Sequence, residues 1–153
     1  MNAAVASATP EPINPRARGF AIASIVPFIG LMLLIWLVGD RNDEAHEFVS
    51  RGLALWAALV ISFLGGIHWG LAMRQSLPSP VPYASGVMLL VPTWIGALMQ
   101  PYSGLVVQGA CLVVGYLIDR RHYPALGASA WLNLRFRLSA VAALCCFLGA
   151  AGC

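Results

Sequence analysis

An all-α integral membrane bundle of five transmembrane helices, its N-terminus in the cytoplasm, is the fold class this sequence predicts. Three observations carry it. Of 153 residues, 59% are hydrophobic and only 10% are charged, with a mean hydropathy of +0.78; a soluble domain has about 25% charged residues. The charges that are present cluster at the ends of long uncharged stretches. Arginine, the sole basic residue besides three histidines, is distributed very unevenly among those clusters. This composition excludes an ordinary water-soluble enzyme and a nucleic-acid binder, and the lipid bilayer becomes the first expected partner.

The spans follow from the gaps, because an ionised side chain at mid-bilayer costs about 2.5–3.5 kcal/mol. Residues 1–15 are rich in Ala and Pro without an apolar period and are expected to be a disordered tail. Gly19 to Gly39 holds 21 uncharged residues and Gly52 to Met73 holds 22, each enough for one helix across a core of about 30 Å. The 44 residues from Gln75 to Ile118 are interrupted by Gln100-Pro101-Tyr102-Ser103-Gly104. They therefore read as two helices, about 83–99 and 102–118. A fifth, about 136–152, begins near Phe136, with Arg135 and Arg137 snorkelling from its start. The alternating run Leu132 to Ser139 reads as an interfacial helix start, since an isolated strand in lipid leaves its backbone unsatisfied. A barrel is excluded because the segments are apolar all round. Residues 16–153 thus form one transmembrane domain.

Five crossings place Arg16, Arg18, Arg74, Arg120, Arg121, Arg135 and Arg137 on one side and only Arg41 and Arg51 on the other. The positive-inside rule makes the richer side cytoplasmic and puts Cys153 across the membrane. A four-span alternative would return the C-terminus to the cytoplasm. The first apolar run is too long for the core of a signal peptide and lacks an Ala-x-Ala site, so it reads as a permanent span. The expected location is a bacterial inner membrane. Cys111, Cys145 and Cys146 fall inside predicted helices with no Cys/His spacing, so neither a disulfide framework nor a metal site is assigned.

The second span is the most informative. Ser62, Gly66 and Gly70 form a small-xxx-small-xxx-small stripe, read as a helix-packing face within the bundle or between two copies of the chain. His68, the only ionisable residue within an expected span, points roughly 160° away from that stripe at 3.6 residues per turn. An ionisable side chain there is by default a functional candidate; the alternative is a neutral histidine hydrogen-bonded for packing. In the third span Pro92 strips the Met88 carbonyl of its usual donor, predicting a kink. Trp94, deeper than the other tryptophans, is expected to face an internal pocket. At the cytoplasmic boundary, His68, Tyr116, Asp119, Trp131 and Arg135 share a depth. They read either as an Asp119–Arg135 pair closing a hairpin or as a site for a polar headgroup or anionic ligand.

The run Phe63-Leu64-Gly65-Gly66-Ile67-His68-Trp69-Gly70-Leu71-Ala72 carries a resemblance, together with the Val91-Pro92 helix, Asp119 and the stretch Trp131 to Ser139. These features resemble the bacterial relatives of transmembrane protein sixty-nine, a multi-pass membrane family of unknown function. The likeness covers roughly residues 17–150. It implies a five-helix membrane protein and marks His68, Trp69, Asp119 and Arg135. Leu132 departs from the family pattern, which has a tyrosine after the tryptophan.

No catalytic residue is assigned. The leading expectation is a non-enzymatic membrane protein that binds a small hydrophobic ligand or assists a partner, through His68, Trp69, Trp94, Tyr116, Asp119 and Arg135. No cofactor is called for, although a haem or a quinone would suit a buried imidazole. The alternatives are an oligomeric small-molecule transporter and an intramembrane enzyme with His68 as acid/base. An ATP-driven pump is excluded by the lack of a phosphate-binding loop.

Overall fold

The computed structural model describes residues 13–75 and 79–153, so the tail expected up to residue 12 lies outside the described residues. The chain is helical from Pro15, and the described residues contain no strand. Among the described residues, five elements are long and apolar enough to cross a membrane.

The first, Pro15–Val38, is broken into α1 (Pro15–Ala23) and α2 (Val26–Val38). Pro27 is the cause, because it cannot donate to the carbonyl of Ala23 and its ring collides with that turn. Ser24 Oγ donates instead to Ala21 O at 2.7 Å, and the amide of Ile25 tightens onto Ile22 O at 3.1 Å. Gly39, at φ 46°, ends α2 in a conformation that suits glycine.

The second element, α3 (Asp43–Ala72), begins well before the Gly52 expected from the charge gap. Its first turns lie outside the hydrocarbon and are held by local polar contacts. Asn42 Oδ1 accepts from the amide of Ala45 at 2.9 Å, Asp43 and Glu44 sit at the positive end of the helix dipole, and Arg51 pairs with Glu47 at 2.7 Å. The remaining helices are α4 (Val81–Leu98), α5 (Pro101–His122) and α6 (Leu132–Ala151). Pro82 and Pro101 stand in first turns, where a missing amide costs nothing. The alternating Leu132–Ser139 run is helical, so α6 starts a turn earlier than expected. Pro92 lies inside α4, which continues through it.

The core is built around α3, which packs on α2, α4, α5 and α6. Leu53, Ala57 and Ile61 meet Leu105 and Leu112 of α5, Cys146 of α6, and Phe28 and Ile35 of α2. Most large apolar side chains otherwise face outward, as a lipid-facing surface requires.

The close helix crossings do not use the stripe read from the sequence. A Cβ on Gly66 or Gly70 would meet nothing within 4 Å. Gly65 is the buried one, and a Cβ on its partner Gly86 in α4 would stand 2.8 Å from Gly65 O and 2.9 Å from Trp69 Nε1. The Ser62/Gly66/Gly70 stripe is therefore not a packing face within the bundle. Adjacent glycines offer two faces 100° apart, and α3 turns inward the one that also carries Ala57, Ile61 and His68.

Candidate functional site

Three of the singled-out residues converge. His68 of α3 is fully buried, Asp119 of α5 is 1% exposed and Arg135 of α6 is 8% exposed. His68 Nε2 lies 2.8 Å from Asp119 Oδ1, and Arg135 Nε donates to Asp119 Oδ2 at 2.6 Å. The histidine contact lies off the line of the ring N–H. Both His68 Nδ1 and Asp119 Oδ1 are left without an in-line partner among the described residues. Arg135 Nη1 donates to Ser139 Oγ one turn further along α6.

Each element places its group for a local reason. Asp119 occupies the last turn of α5, where the helix dipole disfavours a carboxylate; Arg120, Arg121 and His122 in the same turn and Arg135 across the hairpin offset this. Ser139 lies at i+4 from Arg135 and so falls on its face of the helix. Below the imidazole, the ring of Tyr123 is 5.9 Å away and that of His122 is 6.4 Å away, both edge-on. Burial, reinforced by the Asp119 charge and opposed by Arg135, pushes the Tyr123 phenol up to about 12, so it stays a protonated hydrogen-bond donor at ordinary pH.

A cleft of about 680 Å3 runs beside this cluster between α1, α2, α3 and α6. It falls within the usual range of ligand pockets, about 300–1,000 Å3. Its walls are almost wholly apolar, with Phe28, Trp56 and Ala142 at the deep end and the largely exposed Phe20 and Phe63 on its sides. Tyr123, Trp131, Arg135 and Ser139 supply its polar end. Along α3 it extends from Trp56 to Leu71, about 22 Å at 1.5 Å per residue. His68 and Asp119 do not line it; they stand behind Arg135 and Tyr123.

Other expectations are corrected. Trp94 is 62% exposed and faces outward, because the inward face of α4 is taken by Gly86, Leu89, Thr93 and Gly96. Neither Pro92 nor any other α4 residue lines the cleft. Trp69 binds across α3–α4, with Nε1 donating to Tyr83 O at 3.0 Å and its ring 5.3 Å from that of Tyr83. Tyr116 stacks on Phe136 at 5.3 Å and is not part of the His68 cluster. Sequence reading missed Ser139 and Tyr123, each one turn beyond a residue it had marked, and so findable by i+4 spacing. It also missed a second buried polar contact, in which Gln108 Nε2 of α5 donates to Thr93 O of α4 at 2.9 Å. An uncharged amide escapes a search for ionisable groups.

Five apolar helices around a buried His–Asp–Arg cluster define a multi-pass helical membrane protein. Residues 13–151 match the family described as "Protein of unknown function (DUF3429)", and the chain belongs to that family. It is similar to Transmembrane protein 69 of Xenopus tropicalis, 26% identical over 67% of this chain and 39% of that protein. It is also similar to the Tetracenomycin C resistance and export protein of Streptomyces glaucescens, 30% identical over 67% of this chain and 21% of that protein. The chain thus spans well under half the length of either relative. No solved structure matches it.

Proposed function

We propose that this protein is a non-enzymatic inner-membrane binder that takes a single small hydrophobic molecule, lipid-like in shape, into the α1–α2–α3–α6 cleft. The observation that carries this reading is the cleft itself: a long apolar trough opening between helices, with Arg135 the one charged side chain among its described lining residues. An apolar chain gains roughly 25 cal/mol per Å2 when it leaves water, but nothing comparable when it leaves lipid. Selection in the bilayer therefore depends on the polar end and on shape. The positive-inside pattern supports a cytoplasmic position for that end, and the open Ser62/Gly66/Gly70 stripe is available to a second copy of the chain.

Transport is the second reading. It is favoured by the likeness to a protein named for tetracenomycin C export, which covers about a fifth of that protein. A pair of measurements separates the two. Mass spectrometry of protein purified in mild detergent is expected to find one class of chain-bearing molecule at about stoichiometric amount. Ala21→Trp, which fills the cleft from the loosely packed α1, should remove that molecule while leaving the melting temperature of the emptied protein unchanged. An unchanged complement of bound molecules in the variant would refute the cleft reading. Flux of a hydrophobic dye in proteoliposomes that Ala21→Trp abolishes would move the assignment to transport.

A further inference from the structure

The polar end of the cleft is rich in donors, and no carboxylate stands among its described lining residues. Arg135 spends Nε on Asp119 and Nη1 on Ser139, and its guanidinium also reaches the Tyr123 phenol oxygen. Ser139 is unlike Ser24 and the serines of the other α-helices. Ser24, Ser50, Ser62, Ser85 and Ser103 each donate to a carbonyl three or four residues earlier. Ser139 accepts from Arg135 and makes no such bond, so its proton is free for another acceptor. The Tyr123 phenol is a third donor on the same wall. Donor hydrogens beside a guanidinium, with no carboxylate on the same wall, suit a ligand whose head accepts.

The charges behind the wall decide which head. With His68 neutral, Asp119 and Arg135 cancel. A long-chain anion held beside Arg135 would share the guanidinium and leave Asp119 short of countercharge in a region where an uncompensated charge is costly. His68 stands 2.8 Å from Asp119 on the side away from Arg135, with Nδ1 buried and unpartnered. A proton taken from water onto His68 restores neutrality along the row of ligand anion, Arg135, Asp119 and His68. Few other ionisable groups among the described residues face the imidazole. From α5 and the turn after it come Asp119, His122 and Tyr123; from α6, Arg135 through Asp119; from α4, only Tyr83, which packs on Trp69. α2 has no ionisable side chain, and Arg16 and Arg18 of α1 are exposed.

We propose that the cleft binds a long-chain anion (carboxylate or phosphate-headed) together with one proton, the anion on Arg135 and Ser139 and the proton on His68. The inference rests on the cleft reading above and adds the head chemistry and the coupled proton. Charge balances: one negative ligand and one proton enter a neutral site. Arg135 and Ser139 are the binding residues, and His68 is a positioning and proton-holding residue that does not touch the ligand.

The test uses the whole protein in phosphatidylcholine nanodiscs, with tetradecyl sulfonate as a probe whose head does not titrate and tetradecanol as its neutral counterpart. Calorimetry in two buffers of different ionisation heat counts protons. We expect the sulfonate to bind at least about tenfold tighter than the alcohol near pH 7. About one proton should be taken up, with affinity falling by at most about tenfold per unit rise in pH. His68→Gln should retain binding and lose the uptake; if that variant does not fold, the buffer pair on the unaltered chain decides alone. Equal affinity for sulfonate and alcohol would overturn the anionic head, and zero uptake would overturn the role of His68. Both results leave the cleft reading intact, whereas that reading itself fails if neither probe binds. Competition by myristate or by tetradecyl phosphate then separates a fatty acid from a phosphate-headed lipid.

Discussion

Asp119 is the residue on which the interior depends. It is nearly inaccessible, sits at the unfavourable end of a helix dipole and is approached by a guanidinium and an imidazole at once. A buried ion pair gains little over apolar residues of the same shape, but one stripped of a partner leaves a naked charge. Asp119→Leu should therefore cost about 3–5 kcal/mol, because Arg135 is left buried without an anion. Arg135→Leu should cost a similar amount, because Asp119 is then left buried without its guanidinium. The double variant should recover much of the loss. Unfolding by denaturant in a fixed detergent reads all three, and strictly additive costs would show that the two side chains do not act as a pair.

At the scale of helices, Gly86 of α4 and Gly66 of α3 make opposite predictions. Gly86→Ala puts a methyl group against the Gly65 carbonyl and Trp69, both fixed by the α3–α4 crossing. It should destabilise by about 1–3 kcal/mol. Gly66→Ala meets open space and improves helix propensity, so the melting temperature of the monomer should hold or rise slightly. A fall caused by Gly66→Ala would mean that a second chain normally covers that face. The pair also shows what the amino-acid order makes legible. Gaps between charges located five crossings because ionised groups are expelled from hydrocarbon whatever the tertiary structure. Which face of α3 turned inward was not legible, since adjacent glycines satisfy the small-residue rule equally well and the choice is made by where His68 finds Asp119. Trp94 went astray in the same way: depth can be counted along a helix, but azimuth is set by the neighbours. The early start of α3 came from Asn42 capping and from acidic first-turn residues, a signal that a count of uncharged residues does not register. Ser139 and Tyr123 needed only a one-turn extrapolation from Arg135 and Asp119, whereas the cleft beside them exists only once α1 has bent away at Pro27.

For the molecule as a whole, the ends of the bundle are chemically unlike, and this makes its orientation testable with single thiols. At one end, His46 Nε2 lies 2.9 Å from Gly152 O and Cys153 Sγ is 3.2 Å from Ser50 Oγ. The close of α6 is thereby tied to the acid-rich start of α3. The opposite end carries Ser79, exposed ahead of α4, and the Arg120–Arg121 pair. Seven of the nine arginines belong to that second end, so the positive-inside rule predicts that it faces the cytoplasm. Cys111, Cys145 and Cys146 are buried while Cys153 is exposed, so one native thiol reports on one end without interference. A membrane-impermeant maleimide added to intact bacteria should label Cys153. In a Cys153→Ser background, Ser79→Cys should be labelled only after permeabilisation. A swapped pattern would invert the molecule and bring the polar end of the cleft, with its proton-holding histidine, to the external face. Labelling of both positions from the same side would remove a crossing, and with it the α5–α6 hairpin that holds Asp119 against Arg135.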